Sequence, residues 1–186
     1  MRLDGFDLPL VTERLQLRRF AESDFTAYAD RRGRAEVYRY LLEPVPGPEV
    51  LRQKFQAALS GPFMADGDAL RLNIVLRADG SILGDVMLKI ASLQSRQAEI
   101  GCVFHPDAGG KGYATEAVRA LIGFGFAQVG AHRIFARLDA ANRGSVGVME
   151  RLGLRREALF VQNDFSNGEW SDEAVYALLR PEWEAS

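Results

Sequence analysis

Alternating apolar and polar residues predict most of the strands in this chain. Leu15 and Leu17 alternate with polar neighbours between residues 12 and 20, which is the period of a half-buried strand. The same alternation recurs at 70–76, 82–90 and 97–104. Because Ala78-Asp79-Gly80 is a turn sequence between the first two of these segments, the three segments together predict an antiparallel meander.

Apolar residues at helical spacing predict helices before and after the meander. One helix is expected after Glu22-Ser23-Asp24 and another from Pro48, since proline suits the first turn of a helix. A long helix is expected to end near Val129, and Asn142 is predicted to cap a further helix. The remaining strands are expected at 133–138, 159–165 and 170–179, the last two joined by an Asn167-Gly168 turn.

The order of these elements predicts the fold class. A meander comes first, then a single strand-helix-strand crossover, then a helix and a hairpin. This order predicts an α/β (mixed α+β) fold with a central mixed, mostly antiparallel sheet of about 6–7 strands and helices on both faces.

Composition and charge narrow the class of protein further. Of the 186 residues, 47% are apolar and 26% are charged, which is typical of one soluble domain, here residues 1–186. The formal net charge of −2 argues against a general nucleic-acid binder. The first ten residues resemble no signal peptide, and no apolar run is long enough to span a membrane. A cytoplasmic protein without a nucleic-acid or membrane partner is therefore expected.

Cysteine and histidine counts limit the metal and redox chemistry. The single cysteine, Cys102, excludes an intramolecular disulfide and a cysteine-rich zinc site. The two histidines, His105 and His132, are too few for a histidine-cluster centre, so no metal is expected. We predict that Cys102 packs as a small buried hydrophobic residue and does not carry an acyl group.

The first chemical signal is a glycine-rich loop between the strand at 97–104 and the long helix. Gly109, Gly110 and Gly112 let backbone amides approach an anion, and the helix N-terminus adds free N–H groups. A pyrophosphate is the expected ligand, although a glycine-rich turn that binds nothing has the same composition.

Two familiar phosphate loops fit this sequence poorly. The Walker A pattern fails because Gly112 follows Lys111, where Ser or Thr is required. A dinucleotide fingerprint is imperfect because Thr115 stands at its last position, although Asp139 matches its ribose-binding acid. A nucleotide-dependent oxidoreductase that uses Gly110, Gly112 and Asp139 therefore stays open as an alternative.

A third interpretation accounts for more of the chain. Gly109-Gly110-Lys111-Gly112-Tyr113-Ala114 resembles the pyrophosphate loop Gln/Arg-x-x-Gly-x-Gly/Ala of the GNAT superfamily of N-acetyltransferases. The segment NRGSVGVMERLGL resembles that family's second signature. The opening TERLQLRRFAESD and the segment 157–179 resemble its RimJ/RimL ribosomal-protein acetyltransferase branch, so the resemblance covers roughly residues 10–183. The chain departs from the pattern at Gly109, where the family has Gln or Arg.

This resemblance implies a GNAT-like fold and an acetyl-CoA-dependent N-acetyltransferase. The acetyl group would pass directly to a primary amine, of a protein N-terminus or a small molecule, in a ternary complex. Acetyl-CoA would lie where the strands at 97–104 and 133–138 splay apart. The residues expected to bind it are Val103, Phe104, His105, Gly109, Gly110, Lys111, Gly112, Tyr113, Ala114, Thr115, Asn142 and Ser145. A non-catalytic acyl-CoA or peptide-binding module is the alternative, and monomer and homodimer both stay open.

The resemblance also assigns catalytic roles. Ser145 is expected to protonate the CoA sulfur as general acid, and its alternative role is only to cap its helix. Asp164 stands where related enzymes carry a glutamate that acts as general base, and Glu99 is the competing base.

Two features concern the acceptor. The RimJ/RimL branch builds the acceptor wall from its amino-terminal helical region, which here contains Phe25, Tyr28, Tyr38 and Tyr40. The segment 157–186 contains seven acidic residues and one basic residue, which favours a cationic amine or a basic peptide.

Overall fold

The computed structural model describes residues 1–41, 43–166 and 168–185. The strands are β1 (Leu10–Val11), β2 (Leu15–Arg18), β3 (Ala69–Leu76), β4 (Ile82–Ser92), β5 (Gln97–Phe104), β6 (Arg133–Asp139), β7 (Arg155–Ser166) and β8 (Glu169–Leu179). The helices are α1 (Phe25–Arg32), α2 (Ala35–Tyr38), α3 (Pro48–Ser60), α4 (Tyr113–Phe124), α5 (Arg143–Arg151) and α6 (Arg180–Glu184). None of the helices in these described segments is both long and apolar enough to cross a membrane.

Within the described residues, the strands form one eight-stranded sheet in the order β1-β2-β3-β4-β5-β6-β8-β7. Neighbouring strands are antiparallel except β5 and β6, which are parallel. This confirms the predicted mixed, mostly antiparallel sheet. The additional strand is β1, whose Leu10 lies opposite Leu17 of β2. Asn167, in the predicted turn between β7 and β8, lies outside the described residues.

The larger core lies between the sheet and α4. Val86 and Leu88 of β4 are fully buried in one apolar cluster with Val118, Leu121 and Ile122 of α4. Full burial of one such side chain stabilises the fold by about 1.5–3 kcal/mol. This packing fixes the start of α4, and therefore the glycine-rich loop before it, against the middle of the sheet.

Other helices cover the opposite face. Asp85 precedes Val86 in β4, so its side chain points to the other side of the sheet. There it forms ion pairs with Arg31 and Arg32 of α1. A second apolar cluster joins α1 and α3 and contains Phe20, Tyr28, Leu51 and Phe55. Helices therefore cover both faces of the sheet, as the sequence predicted.

The long helix changes its form before it ends. α4 ends at Phe124 and continues as a π-helical turn, Gly125–Val129. A Cβ on Gly125 would lie 2.8 Å from Cδ1 of Ile134, which is closer than side chains pack. Glycine therefore lets this turn approach β6 closely, and the change of helix type occurs at that contact.

The last hairpin is less regular than its alternation predicts. Phe160 and Asp164 of β7 lie opposite Glu173 and Ser171 of β8, so three residues on one strand match one on the other. Gln162 lies inside this bulge with a φ of 49°, in the left-handed region. Because two extra residues are inserted here, the alternation of faces is kept, and Phe160 and Asp164 point to the same face of the sheet as their partners Glu173 and Ser171.

Asp24 joins the start of α1 to the sheet. Its carboxylate accepts hydrogen bonds from Arg18 at 2.7 and 2.8 Å and from Nδ2 of Asn73 at 2.8 Å. It also accepts the N–H of Ala21 at 2.7 Å. Burial alone would raise the pKa of Asp24, but these hydrogen bonds and the Arg18 charge outweigh burial, so the pKa lies below its ordinary value.

This lowered pKa predicts a pH dependence. Stability from Asp24 is complete above the unfolded pKa of about 3.9 and is lost as the pH falls through the lower folded pKa. We expect the free energy of unfolding of the wild type to fall below about pH 5, and that of Asp24→Asn to fall less steeply. Urea unfolding at several pH values measures both slopes, with exposed Asp4→Asn as control. Equal slopes for wild type and Asp24→Asn would contradict this role.

Candidate active site

The cleft begins where two parallel strands part. β5 and β6 pair only over residues 97–99 and 133–135. The strands continue to Phe104 and Asp139, and within the described chain they form no further pairing with each other. The sheet therefore opens in its middle, at the place where the sequence predicted the cleft.

The larger cavity at this opening has a volume of about 710 Å³. Eleven of the twelve residues predicted to bind acetyl-CoA line it: Val103, Phe104, His105, Gly109, Gly110, Gly112, Tyr113, Ala114, Thr115, Asn142 and Ser145. Lys111 does not line it. The Lys111 ammonium donates to the carbonyl of Asp107 at 3.1 Å, which holds it on the other side of the loop. That Lys111 binds the ligand stays a prediction, since its backbone amide belongs to the loop although its side chain is held by Asp107.

The loop geometry suits an anion. Gly110 and Gly112 have φ values of 74° and 78°, in the left-handed region that favours glycine. A Cβ added to Gly110 would meet no atom within 4 Å. Because the first N–H groups of α4 have no acceptor within the helix, they point toward the space that an anion would occupy. The amides of 110–115 thus fit a pyrophosphate.

An ion pair that sequence analysis missed braces this loop. Glu116 accepts hydrogen bonds from the Thr12 hydroxyl at 2.6 Å and from Nε of Arg14 at 2.7 Å. Nη1 of Arg14 donates to the carbonyl of Lys111 at 2.9 Å, and its guanidinium lies over the Tyr113 ring. The loop is therefore fixed to the strand edge near Thr12, about 100 residues away in sequence. In the sequence, the only local indication of this ion pair is Glu116, an acidic residue in the first turn of α4.

Arg151 is a second residue that sequence analysis missed. It lines the larger cavity, and its Nε donates to the Thr115 hydroxyl at 3.2 Å. No carboxylate in the described segments lies within ion-pair distance of Arg151. The mouth of the cavity therefore carries a free positive charge beside the amide loop, which is a further fit to phosphate.

Ser145 also lines the larger cavity, in the first turn of α5. Oδ1 of Asn142 accepts the Ser145 N–H at 3.1 Å, which confirms Asn142 as the cap of that helix. The Ser145 hydroxyl makes no hydrogen bond to any described residue. The capping role thus belongs to Asn142, and the Ser145 hydroxyl is free to face the cavity.

A smaller cavity of about 230 Å³ continues beyond Ser145. Six residues line both cavities: Tyr40, Leu41, Cys102, Val103, Asn142 and Ser145. The smaller cavity has walls from both faces of the sheet, with Met87 on one side and Val118 and Met149 on the other. Such a passage requires the separation of β5 and β6. Two ligands could thus meet at Ser145.

The structure brings neither predicted base to Ser145. Glu99 is held by Lys89 at 3.4 Å and Arg137 at 3.1 Å, and it lines neither cavity. Asp164 lies opposite Ser171 in the last hairpin and is also absent from both walls. Neither residue lines the wall that carries Ser145, and their roles as general bases stay predictions. The positions of Glu99 and Asp164 depend on strand pairing, which the sequence alone does not predict.

Cys102 lies on the shared wall of the two cavities and is half-buried, so it is less enclosed than the buried residue that the sequence predicted. Loss of water contact raises the pKa of its thiol to about 12, so it is protonated near neutral pH. This agrees with the prediction that it carries no acyl group. His105 also lines the larger cavity, and its Nδ1 accepts the N–H of Asp107 at 3.2 Å.

Of the aromatic residues predicted for the acceptor wall, Tyr40 lines both cavities. Tyr28 and Tyr38 are instead buried, and Phe25 packs against Phe55 with ring centroids 5.1 Å apart. The prediction was wrong for these three: α1 turns Phe25 and Tyr28 toward α3, and Tyr38 of α2 is buried.

The opened sheet, with an amide-lined loop at one end and a free hydroxyl at the other, defines a transferase site with an anionic co-substrate. A family model described as acetyltransferase (GNAT) domain matches residues 14–155. "Uncharacterized N-acetyltransferase YnaD" of Bacillus subtilis (strain 168) is 31% identical over 174 residues, which cover 94% of this chain and 98% of YnaD. The crystal structure of a GNAT-family acetyltransferase from Bacillus anthracis has a TM-score of 0.82 at 30% identity, covering 94% of this chain and all of that one.

The chain therefore belongs to the GNAT family of acetyltransferases. It is an N-acetyltransferase, an enzyme that acetylates an amine from acetyl-CoA. Spermidine N(1)-acetyltransferase of Escherichia coli (strain K12) is a more distant relative, 26% identical over 116 residues and 62% of each chain. The oxidoreductase alternative needed Asp139 beside Gly110 and Gly112, but Asp139 does not line the cavity that these glycines line, and the chain belongs to an acetyltransferase family.

A pair of glycine substitutions tests the loop. Gly110 and Gly80 share φ values of 74° and 76°, and a Cβ at either position meets no atom within 4 Å. Only Gly110 lines the larger cavity. We expect Gly110→Ala and Gly80→Ala to lose similar stability, about 1–2 kcal/mol. Only Gly110→Ala should raise the Kd for CoA, by about tenfold, since the shifted backbone turns amides away from the phosphates. Calorimetric titration with CoA measures this, and equal Kd values for the two variants would contradict it.

Proposed function

We propose that this chain transfers the acetyl group directly from acetyl-CoA to a primary amine within a ternary complex. The observation that supports this best is the position of Ser145 on the wall where the two cavities meet. Acetyl-CoA would occupy the larger cavity, with its pyrophosphate at the amides of 110–115 and beside Arg151. The amine would approach from the smaller cavity.

The proposed chemistry uses a single displacement at the thioester carbonyl. The amine nitrogen forms a bond to the carbonyl carbon, and the bond from that carbon to sulfur breaks. The departing sulfur takes a proton from the Ser145 hydroxyl, which is free of other hydrogen bonds within the described chain. The amine nitrogen loses a proton to water, and the serine recovers one from solvent. General acid catalysis of this kind contributes roughly 10²–10⁴-fold.

The acceptor amine must lose a proton before it attacks, so its pKa affects which acceptors suit this site. Among the described residues, two carboxylates line the cavities, Asp85 and Glu36; Asp85 is paired with two arginines and Glu36 with Arg34 at 3.6 Å, so neither is a free base. An α-amine has a pKa of about 8, so its neutral form costs only about 1 kcal/mol at pH 7, whereas a lysine amine costs about 4–5 kcal/mol. A site without a strong base therefore favours an α-amine over a lysine side chain.

The finer branch assignment rests on sequence motifs. The opening TERLQLRRFAESD and the segment 157–179 resemble the RimJ/RimL branch, and this supports an α-amine as acceptor, of a protein N-terminus or of a small molecule. The polyamine in the name of the spermidine relative is a different kind of acceptor, and it is the second class to test.

Steady-state kinetics test the direct mechanism. CoA release is measured while acetyl-CoA and an α-amine acceptor are both varied, and intersecting reciprocal plots are expected for a ternary complex. Cys102→Ala should still transfer acetyl groups, because a thiol with a raised pKa is a poor nucleophile. Parallel plots together with an inactive Cys102→Ala variant would instead indicate an acetyl-cysteine intermediate. CoA binding without CoA release for any amine would contradict the proposed function.

A further inference from the structure

One wall of the smaller cavity has more arginine side chains than carboxylates to neutralise them. Arg32, Arg71 and Asp85 lie on one of its walls, and Asp85 is also paired with buried Arg31. Nη2 of Arg31 lies 2.6 Å from the Asp85 carboxylate, and Nη2 of Arg32 lies 2.8 Å from it. Arg31 and Arg32 thus share one carboxylate, and together with Arg71 these four side chains have a formal charge of +2.

Arg71 is the arginine on this wall whose positive charge is unpaired among the described residues. It is half-buried, and no residue in the described segments forms a hydrogen bond or an ion pair with it. Arg137, on the same cavity, differs because it is paired with Glu99 at 3.1 Å and Glu173 at 3.6 Å. Nε of Arg32 is buried and also lacks a partner. A half-buried guanidinium beside unpaired donors is a site for a carboxylate, which it can bind through two parallel hydrogen bonds.

The register of the sheet places Arg71 in line with the opening. Arg71 of β3 lies opposite Met87 of β4, which lies opposite Gly101 of β5. Neighbouring strands are about 4.8 Å apart, so Arg71 lies roughly 10 Å from the open edge of β5. Gly101 has no side chain to block the path, and a Cβ there would meet only Cε of Met87, at 3.5 Å. The regular pairing at Gly101 also shows that this glycine opens space and does not form a bulge.

The remaining walls limit the size and character of the ligand. They are mostly apolar and include Met87, Ile100, Val118, Leu138 and Met149. The volume of about 230 Å³ holds a small molecule and not a folded chain. An amine at Ser145 with an anionic group near Arg71 would span the length of the cavity.

We propose that the acceptor of this enzyme is a small α-amine that carries a carboxylate at about the length of a dipeptide, and that Arg71 binds this carboxylate. The proposal rests on the proposed function, because it assumes that the amine is acetylated beside Ser145. Arg71 is then a specificity residue that positions the acceptor.

This proposal revises the expectation of a cationic acceptor. Four of the seven acidic residues of the carboxy-terminal segment form ion pairs within the described part of the fold: Glu157, Glu173, Glu182 and Glu184. Much of the negative charge of this segment is therefore neutralised by arginines of the same chain. A polyamine would bring further positive charge against the unpaired Arg71, which is unfavourable in a half-buried site.

Matched acceptors test the proposal. CoA release is measured with glycyl and alanyl dipeptides that have apolar second residues, each compared with its own carboxamide, and with spermidine. Within each pair the amine pKa is almost the same, so that only the remote carboxylate differs. We expect kcat/KM to be at least about tenfold higher for the free acids, mainly through KM, because a charged hydrogen bond contributes about 1.5–3 kcal/mol.

Two variants attribute the preference to Arg71. Arg71→Met keeps an unbranched stem without the guanidinium charge and should bring the ratio of acid to carboxamide close to one. Arg156→Met is the control, because Arg156 is an exposed strand arginine that lines neither cavity. Calorimetric titration of the dipeptide into the CoA-loaded protein gives a readout independent of turnover, and its Kd should rise about tenfold in Arg71→Met. Thermal unfolding checks that both variants fold.

The outcomes separate this proposal from the proposed function. Carboxamides or spermidine acetylated as well as the free acids, or an unchanged ratio in Arg71→Met, would overturn the carboxylate proposal while acetyl transfer still stands. Absence of CoA release with every amine would overturn both.

Discussion

Asp85→Ala is expected to destabilise the protein by about 3–5 kcal/mol, because removal of one partner of a buried ion pair leaves charge without compensation. The side chains of Arg31 and Arg32 are 1% and 9% exposed, and Asp85 is the carboxylate that both contact. Burial alone would raise the pKa of Asp85, but the charges of Arg32 and Arg31 outweigh it and hold the pKa below its ordinary value. The carboxylate is therefore ionised at neutral pH, and α1 is held to β4 through it. Urea unfolding at pH 7 measures the loss.

An exposed ion pair provides the control for this prediction. Asp30 and Arg34 form an i,i+4 pair at 3.1 Å, with side chains 55% and 39% exposed. Asp30→Ala should change the unfolding midpoint little, because water screens exposed pairs. Should Asp85→Ala unfold at the same urea concentration as Asp30→Ala, the structural role assigned to Asp85 would be wrong.

Ser145→Ala is expected to lower kcat by about 100-fold, at the lower end of the range for general acid catalysis. The Kd for CoA should stay unchanged, because alanine keeps the N–H that Asn142 caps. Stopped-flow measurement of a single turnover separates this chemical step from product release.

Ser145→Thr retains a hydroxyl at the same position and is the matched variant. We expect it to recover a large part of the rate that Ser145→Ala loses. A kcat for Ser145→Ala within about threefold of wild type would show that the sulfur leaves without help from this residue. In that case the hydroxyl contributes only to the cavity wall.

Local patterns were sufficient for the donor side of the site. The alternation of β5, the glycines of the loop and the helical period of α4 all lie within one continuous segment. The chain order alone therefore sets an amide-rich loop at a helix start beside a sheet strand. The helix cap at Asn142 was also predicted from local sequence, and its side chain accepts the N–H of Ser145, three residues later.

The acceptor side depends on contacts between distant segments. Arg31 and Asp85 are 54 residues apart in sequence, and no periodicity connects them. In the sequence, Arg71 is an ordinary polar residue of β3. The strand register places it opposite Met87, which in turn lies opposite Gly101. Asp164 was predicted as a base because its sequence position matched, and strand pairing places it opposite Ser171, outside the walls of the two cavities. Local sequence patterns do not predict which distant charged residues the fold brings together.

The central claim is that acetyl-CoA lies in the opening between β5 and β6 and ends at Ser145. A crystal structure of the protein with CoA tests it most directly. We expect pyrophosphate oxygens within hydrogen-bond distance of the amides of 110–115, and the sulfur beside the Ser145 hydroxyl on the wall that the two cavities share. A CoA molecule whose pyrophosphate lies away from these amides, or whose sulfur lies away from Ser145, would contradict the account.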